Sequence, residues 1–146
     1  METINVAKIK TVPHELTTIL ADALVISQQS HLKEICTEAL LYAILENEKI
    51  AARLLKCGLN IFMYKRQLAV RLKMKAISNP PAEPPHSVAL QGLLILNGME
   101  NGNSHSAISL LKTIIKNNNT AAARLLKAER IAINDFNELV YKPTLN

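Results

Sequence analysis

The hexapeptide Ala51-Ala52-Arg53-Leu54-Leu55-Lys56 recurs letter for letter as Ala122-Ala123-Arg124-Leu125-Leu126-Lys127, a shift of 71 residues. An identical Ala/Leu-rich hexamer alone is a coincidence that two helices can share. Two further matches in the same order argue against coincidence. Leu40-Leu41 recurs as Leu110-Leu111, and Leu20 and Leu24 recur as Leu90 and Leu94, both at a shift of 70, so one inserted residue reconciles all three. The chain reads as two copies of one unit.

Working outward from the hexapeptide, the unit is helical. Leu16, Ile19, Leu20, Ala23 and Leu24 fall at the i, i+3, i+4, i+7, i+8 spacing of an amphipathic helix. After the polar break Gln28-Gln29-Ser30-His31, a second helix is expected near Thr37, a good N-cap residue, carrying Leu40, Leu41, Ile44 and Leu45. Asn47 caps a third, Ile50 to Lys56, which Gly58 stops, and a fourth runs from Asn60 through Tyr64, Leu68 and Leu72 to about Lys75. Asn79-Pro80-Pro81-Ala82-Glu83-Pro84-Pro85 holds four of the six prolines and reads as a semi-rigid linker. Beyond it, Val88 to Leu96 is expected to be helical and Asn97 to Asn103 a loop. Ser106, then Asn119 or Thr120, cap two more helices, and Asn134 is expected to open a last one with Phe136, Leu139 and Val140. The expected organisation is all-α: about eight helices as two pseudo-symmetric four-helix repeats in one domain. Repeat one spans about 12–75, the linker about 76–86 and repeat two about 87–141. A unit of this size does not hold a core alone, so the copies must share one.

Composition agrees with that reading. At 146 residues, 49% hydrophobic and 20% charged, the chain can bury a core. Two phenylalanines, three tyrosines and no tryptophan make that core aliphatic and argue against stacking on bases or sugars, and four glycines are too few for an all-β protein. No apolar run approaches the roughly 18 residues of a membrane span. The start METINVAKIK lacks the apolar stretch and cleavage site of a secretory signal, and Cys36 and Cys57 make no disulfide framework, so a cytoplasmic protein is expected.

The residues carry a resemblance. Ile19-Leu20-Ala21-Asp22-Ala23-Leu24, then Ile35-Cys36-Thr37-Glu38-Ala39-Leu40-Leu41, then Ile50-Ala51-Ala52-Arg53-Leu54-Leu55 with Gly58 resemble, in order and spacing, the Clp N-terminal repeat at the front of bacterial Clp-type AAA+ unfoldases. The double repeat covers about residues 12 to 141. Cys36 and Ala39 replace the Gly and His usual in the second block, and the second copy has Ala107 and Ile108 where the first has Thr37 and Glu38. In unfoldases of this family that Glu lies in a surface pocket implicated in recognising substrates or adaptors, including phosphorylated arginine. The resemblance therefore implies a partner-binding role for Thr37 and Glu38. No G-x-x-x-x-G-K-[ST] motif is present, so no phosphate cradle is expected and the chain looks like a free-standing N-domain.

The residues also have plainer readings. Thr37-Glu38 is ordinary helix-start chemistry, a hydroxyl and an acid favoured by the helix dipole. Cys36 and Cys57 read as packing residues. His14, His31, His86 and His105 show no metal-ligand spacing, so neither metal nor cofactor is expected. No nucleophile–base arrangement stands out, and the chain is not expected to be an enzyme. Lys65, Arg66, Arg71, Lys73 and Lys75, with no acid among them, spread around the fourth helix as a solvated face rather than a phosphate-tracking stripe. The functional expectation is a protein-interaction module that binds substrates, adaptors or Clp ATPase or peptidase subunits in regulated proteolysis or protein quality control. The alternative from a different class is a small helical nucleic-acid-binding regulator, which would use the net charge of +5.

Overall fold

The structure is a computed structural model and describes residues 15–101, 106–117 and 119–142. Residues 12–14 of the first repeat, the N-terminal stretch read for a signal, His14, His105, and Gly102 and Asn103 of the expected loop lie outside the described residues. Seven helices and one hairpin make up the described part: α1 (Glu15–Gln29), α2 (Thr37–Leu45), α3 (Glu48–Lys56), α4 (Ile61–Met74), α5 (Val88–Asn101), α6 (Ala107–Lys116), α7 (Ala121–Ala128), β1 (Ile131–Ile133) and β2 (Leu139–Tyr141). The fold is mostly helical, as the apolar spacing requires.

The middle of the fold is α2. All of its residues but Tyr42 are buried, and it touches each of the other described helices. A helix apolar on every side has no solvent face to offer, so it becomes the axis on which amphipathic neighbours close. From α1 come Ile19 and Ala23, from α3 Ile50 and Leu54, and from α4 Tyr64, Leu68 and Leu72. The second half adds Leu90, Leu93, Leu110, Leu111, Ile114, Ala122, Ala123 and Leu126 to the same cluster. Outside these α2 contacts, α5 packs on α6 and α6 on α7, while α1 also touches α6.

Several boundaries follow from side-chain chemistry. Asn47, Asn60, Ser106 and Thr120 each accept the backbone N–H three residues on, at 3.1 to 3.2 Å, and so cap α3, α4, α6 and α7. At the end of α3, Gly58 takes φ +93° while its N–H donates to the Leu55 carbonyl and that of Leu59 to Leu54, which closes the helix with a Schellman motif.

Four details depart from the sequence expectation. Cys36, not Thr37, holds the N-cap position of α2, and Thr37 is its first helical residue. Helix α5 continues through Asn97 to Asn101, because Asn97 lies on the buried stripe four residues after Leu93 and its amide oxygen accepts a 3.3 Å hydrogen bond from the Thr113 hydroxyl. A polar residue with a buried partner does not end a helix.

The expected last helix is instead the antiparallel hairpin β1–β2, paired Ile131 with Tyr141, Ala132 with Val140 and Ile133 with Leu139. Asn134 does act as a cap, but of a turn: its side-chain oxygen accepts from the N–H groups of Phe136 and Glu138, both at 2.9 Å, and Asn137 takes φ +60°. That geometry competes with a helix and wins where the flanks are β-branched.

The proline-rich segment, finally, is docked. Ile35 donates to the Pro85 carbonyl and accepts from Ser87 in a short parallel bridge to His86. Ile77 donates to the His31 carbonyl, and the Gln28 side chain donates to that of Ala82.

Candidate functional site

The turn after α1, the start of α2 and the chain leaving α4 enclose a cleft of about 290 Å³ lined by Leu32, Lys33, Glu34, Cys36, Lys75 and Ile77. Two stretches far apart in sequence make it, residues 32–36 and residues 75–77. The turn after α1, with His31 at φ +58°, brings residues 32–34 round. The N-cap position of α2 supplies Cys36, and the end of α4 delivers Lys75 at its C-cap. Leu32 and Cys36 are buried, and Ile77 and Lys33 stand exposed at the mouth.

Beside this cleft lies the charge pair of the molecule's interior. Glu38 is only 3% exposed and Thr37 only 4%. The Glu38 carboxylate meets the half-exposed Lys75 ammonium at 3.2 Å. A carboxylate this deep requires a counter-charge, and Lys75 supplies it from 37 residues away. Cys36 is affected by the same surroundings. Burial pushes its thiol above the ordinary range and the Glu38 charge adds to that, while the Ala39 N–H, Lys75 and the Glu38 N–H act the other way. The thiol is therefore held neutral, which fits packing and gives no nucleophile.

The second helix start is built differently. Ala107 and Ile108 stand at the head of α6, where a Thr-Glu pair heads α2. The carboxylate there comes from α1: Glu15 Oε1 accepts the Ala107 N–H at 2.9 Å and Oε2 accepts from the Asn47 amide at 3.1 Å. These bonds, the Ala107 one foremost, hold the Glu15 carboxyl below its usual range. A smaller cleft of about 120 Å³ adjoins, bounded among others by Lys49, Arg53 and Ile108.

The two residues singled out from the sequence, Thr37 and Glu38, are thus brought together at the cleft's edge but face inward. The groups that reach solvent there are Lys33, Glu34, Lys75 and Ile77, which sequence reasoning did not connect with the site. Lys75 was visible only as one member of a basic run, and nothing local signals that residue 75 neutralises residue 38. Glu15 was missed altogether, although an acid opening a helix invites the question of what it caps. Among the described residues no three His, Cys, Asp or Glu side chains come together as a metal site, and no helix is long and apolar enough to cross a membrane.

No family model matches the chain, and no curated protein matches it. Among solved structures, the chain is similar to the N-terminal domain of Hsp104 from Candida albicans, with a TM-score of 0.66. The match covers 77% of this chain and 77% of that one. The fold is Clp-N-like. At 13% sequence identity the likeness is one of architecture, so a Clp-N-like fold does not by itself carry a binding residue across.

Proposed function

We propose that this chain is a non-enzymatic protein-interaction module that receives substrate, adaptor or Clp ATPase or peptidase subunits in a cytoplasmic chaperone or proteolysis system. The observation that supports this reading is the Clp-N-like architecture. The order and spacing of the three sequence blocks from Ile19 to Gly58, which resemble the Clp N-terminal repeat, add to it. In this reading the chain is a duplication, repeat one about 12–75 and repeat two about 87–141, joined by the docked proline segment. The second copy has a hairpin where the first has α4.

Recognition is placed at the cleft beside α2. A partner's apolar side chain enters between Leu32 and Ile77, and its polar groups meet Lys33, Glu34 and the Lys75–Glu38 pair. Thr37 and Glu38 contribute from below: Thr37 is the first, buried residue of α2 and Glu38 holds Lys75 in place. Because Glu38 is already paired, a cationic group on the partner must displace Lys75 to reach it.

The test is affinity capture from the native host with quantitative mass spectrometry, comparing wild type with Glu38→Ala after both are shown to melt cooperatively. The reading expects a Clp-type unfoldase, a peptidase subunit or their clients on the wild type and depletion on the variant. Equal recovery on both would remove Glu38 from the site. Recovery of nucleic acid that elutes steeply with salt, and of no proteolysis component, would favour the nucleic-acid alternative.

A further inference from the structure

The outward face of α4 is unusual for a solvated helix. Tyr64, Leu68 and Leu72 point into the core. At about 100° per residue the face opposite them is centred on Phe62, Met63, Arg66, Val70, Lys73 and Met74. The four apolar members are 69%, 47%, 59% and 80% exposed. A surface helix normally gives this face to polar residues, so a clustered apolar set is informative where a scattered one would not be.

The charges on the same face are all of one sign. Helix α4 holds no acid. Lys65, at the flank, is already matched by Glu46 at 3.1 Å and lies over the Tyr42 ring. Arg66 is stacked on Phe62, 5.8 Å from its ring centre, which uses its face but leaves its charge without an acid among the described residues. Lys73 stands two turns on, about 10.5 Å along the axis.

We infer that the α4 face, Phe62 to Met74, docks an acidic amphipathic helix of another protein, with carboxylates about seven residues apart between apolar side chains. The inference takes from the interaction-module reading only that the partner is a protein; the cleft plays no part in it. Charge complementarity selects this occupant. A bilayer-lying helix keeps its apolar sector unbroken with cations at its borders. Here Arg66 and Lys73 sit between Phe62 and the Met63, Val70 and Met74 group, so a bilayer would have to take up charge in the middle of the apolar arc. A second copy of the chain is also a poor match. In α1, Glu15 and Asp22 stand seven apart, but Glu15 is engaged by the Ala107 N–H and Asn47, so that pair is not free to dock. Glu38 of α2 and Glu46 just after it are engaged by Lys75 and Lys65, while α3 and α5 carry one acid each and α4, α6 and α7 none. Residues 1–14 offer Glu2 alone against Lys8 and Lys10.

The experiment titrates the full chain against a fluorescein-labelled, end-blocked helical peptide with leucines on one face and two glutamates seven apart. Otherwise identical peptides carry glutamine or lysine at those two positions, and phosphatidylserine vesicles form a separate arm. Anisotropy at two salt concentrations reads affinity, and methyl NMR reads location. The expected result is saturable, salt-weakened binding of the glutamate peptide, with methyl shifts at Met63, Val70 and Met74. The variant Arg66→Glu/Lys73→Glu should lose at least about tenfold in affinity for that peptide and gain for the lysine peptide. Equal binding of all three peptides, no saturable binding, or binding to vesicles alone would overturn the inference. Shifts at Leu32 and Ile77 instead would also overturn it, by placing the peptide in the cleft.

Discussion

Glu38 and Lys75 set the local energetics of the cleft, and their different exposures decide the size of the effect. An exposed ion pair contributes little and a fully buried one, when broken, costs several kcal/mol. With the carboxylate buried and the ammonium half in water, Lys75→Met is expected to cost about 1.5 kcal/mol. Adding Glu38→Gln should recover part of that loss, because the uncompensated charge is removed with its partner. A double-mutant cycle in urea checks this, and additive losses would mean that the pair is not coupled.

Tyr64 gives the opposite sign. Its hydroxyl is buried without a hydrogen-bond partner among the described residues, and burial, with a smaller push from Glu129, raises its pKa far above the ordinary value. Tyr64→Phe should therefore leave stability unchanged or raise it by about 1 kcal/mol, read from the urea midpoint. Glu15 sets a pH dependence. Its folded pKa lies below the ordinary 4.5, so its contribution is complete above that pH and is lost as pH falls through the folded value. Glu15→Gln is expected to flatten the stability-versus-pH curve below pH 4.5, with little change in shape at neutral pH. At this scale a helix starting near Thr37 was legible to within one residue but the chemistry around it was not, since Lys75 and Glu15 act on residues 37 and 92 positions away.

Among the elements, α2 and the end of α3 carry the sharpest expectations. Leu41 has no exposure at all in the central helix, so Leu41→Ala should cost about 3 kcal/mol by lost transfer energy and cavity formation. Gly58→Ala meets no steric neighbour within 4 Å but must hold φ +93°. A loss of about 1 kcal/mol would come from the backbone alone, and circular-dichroism melts of the two variants measure both. Helix α7 shows that a side chain can hold the left-handed position after a helix, since Arg130 follows it at φ +63°.

What the sequence made legible at this scale was local. The caps Asn47, Asn60, Ser106 and Thr120 and the stop at Gly58 are one-residue signals whose partners lie three residues away. The misreadings at Asn97 and Asn134 share a cause. Asparagine breaks, caps or continues a helix according to what its amide meets, and for Asn97 that partner is Thr113, sixteen residues on. At Asn134 the partners were near, but the strand pairing that favours the turn was not visible in a periodicity count.

At the scale of the whole molecule, the shared core and the docked proline segment make one body of the described residues. The hydrophobic cluster runs from Ile19 in α1 to Ile131 in β1 without dividing between the proposed repeats. The segment that composition marked as a linker is held against the first half through its bonds to His31, Ile35 and Gln28. The measurement that addresses the central claim most directly is site-specific photo-crosslinking in the native host. A photoreactive residue is placed at position 33, at the cleft mouth, or at position 127 on the exposed side of α7. A discrete adduct is expected from position 33, identified as a component of a chaperone or proteolysis machine, and none from position 127. Adducts of equal yield from both positions, or adducts to nucleic acid alone, would contradict it.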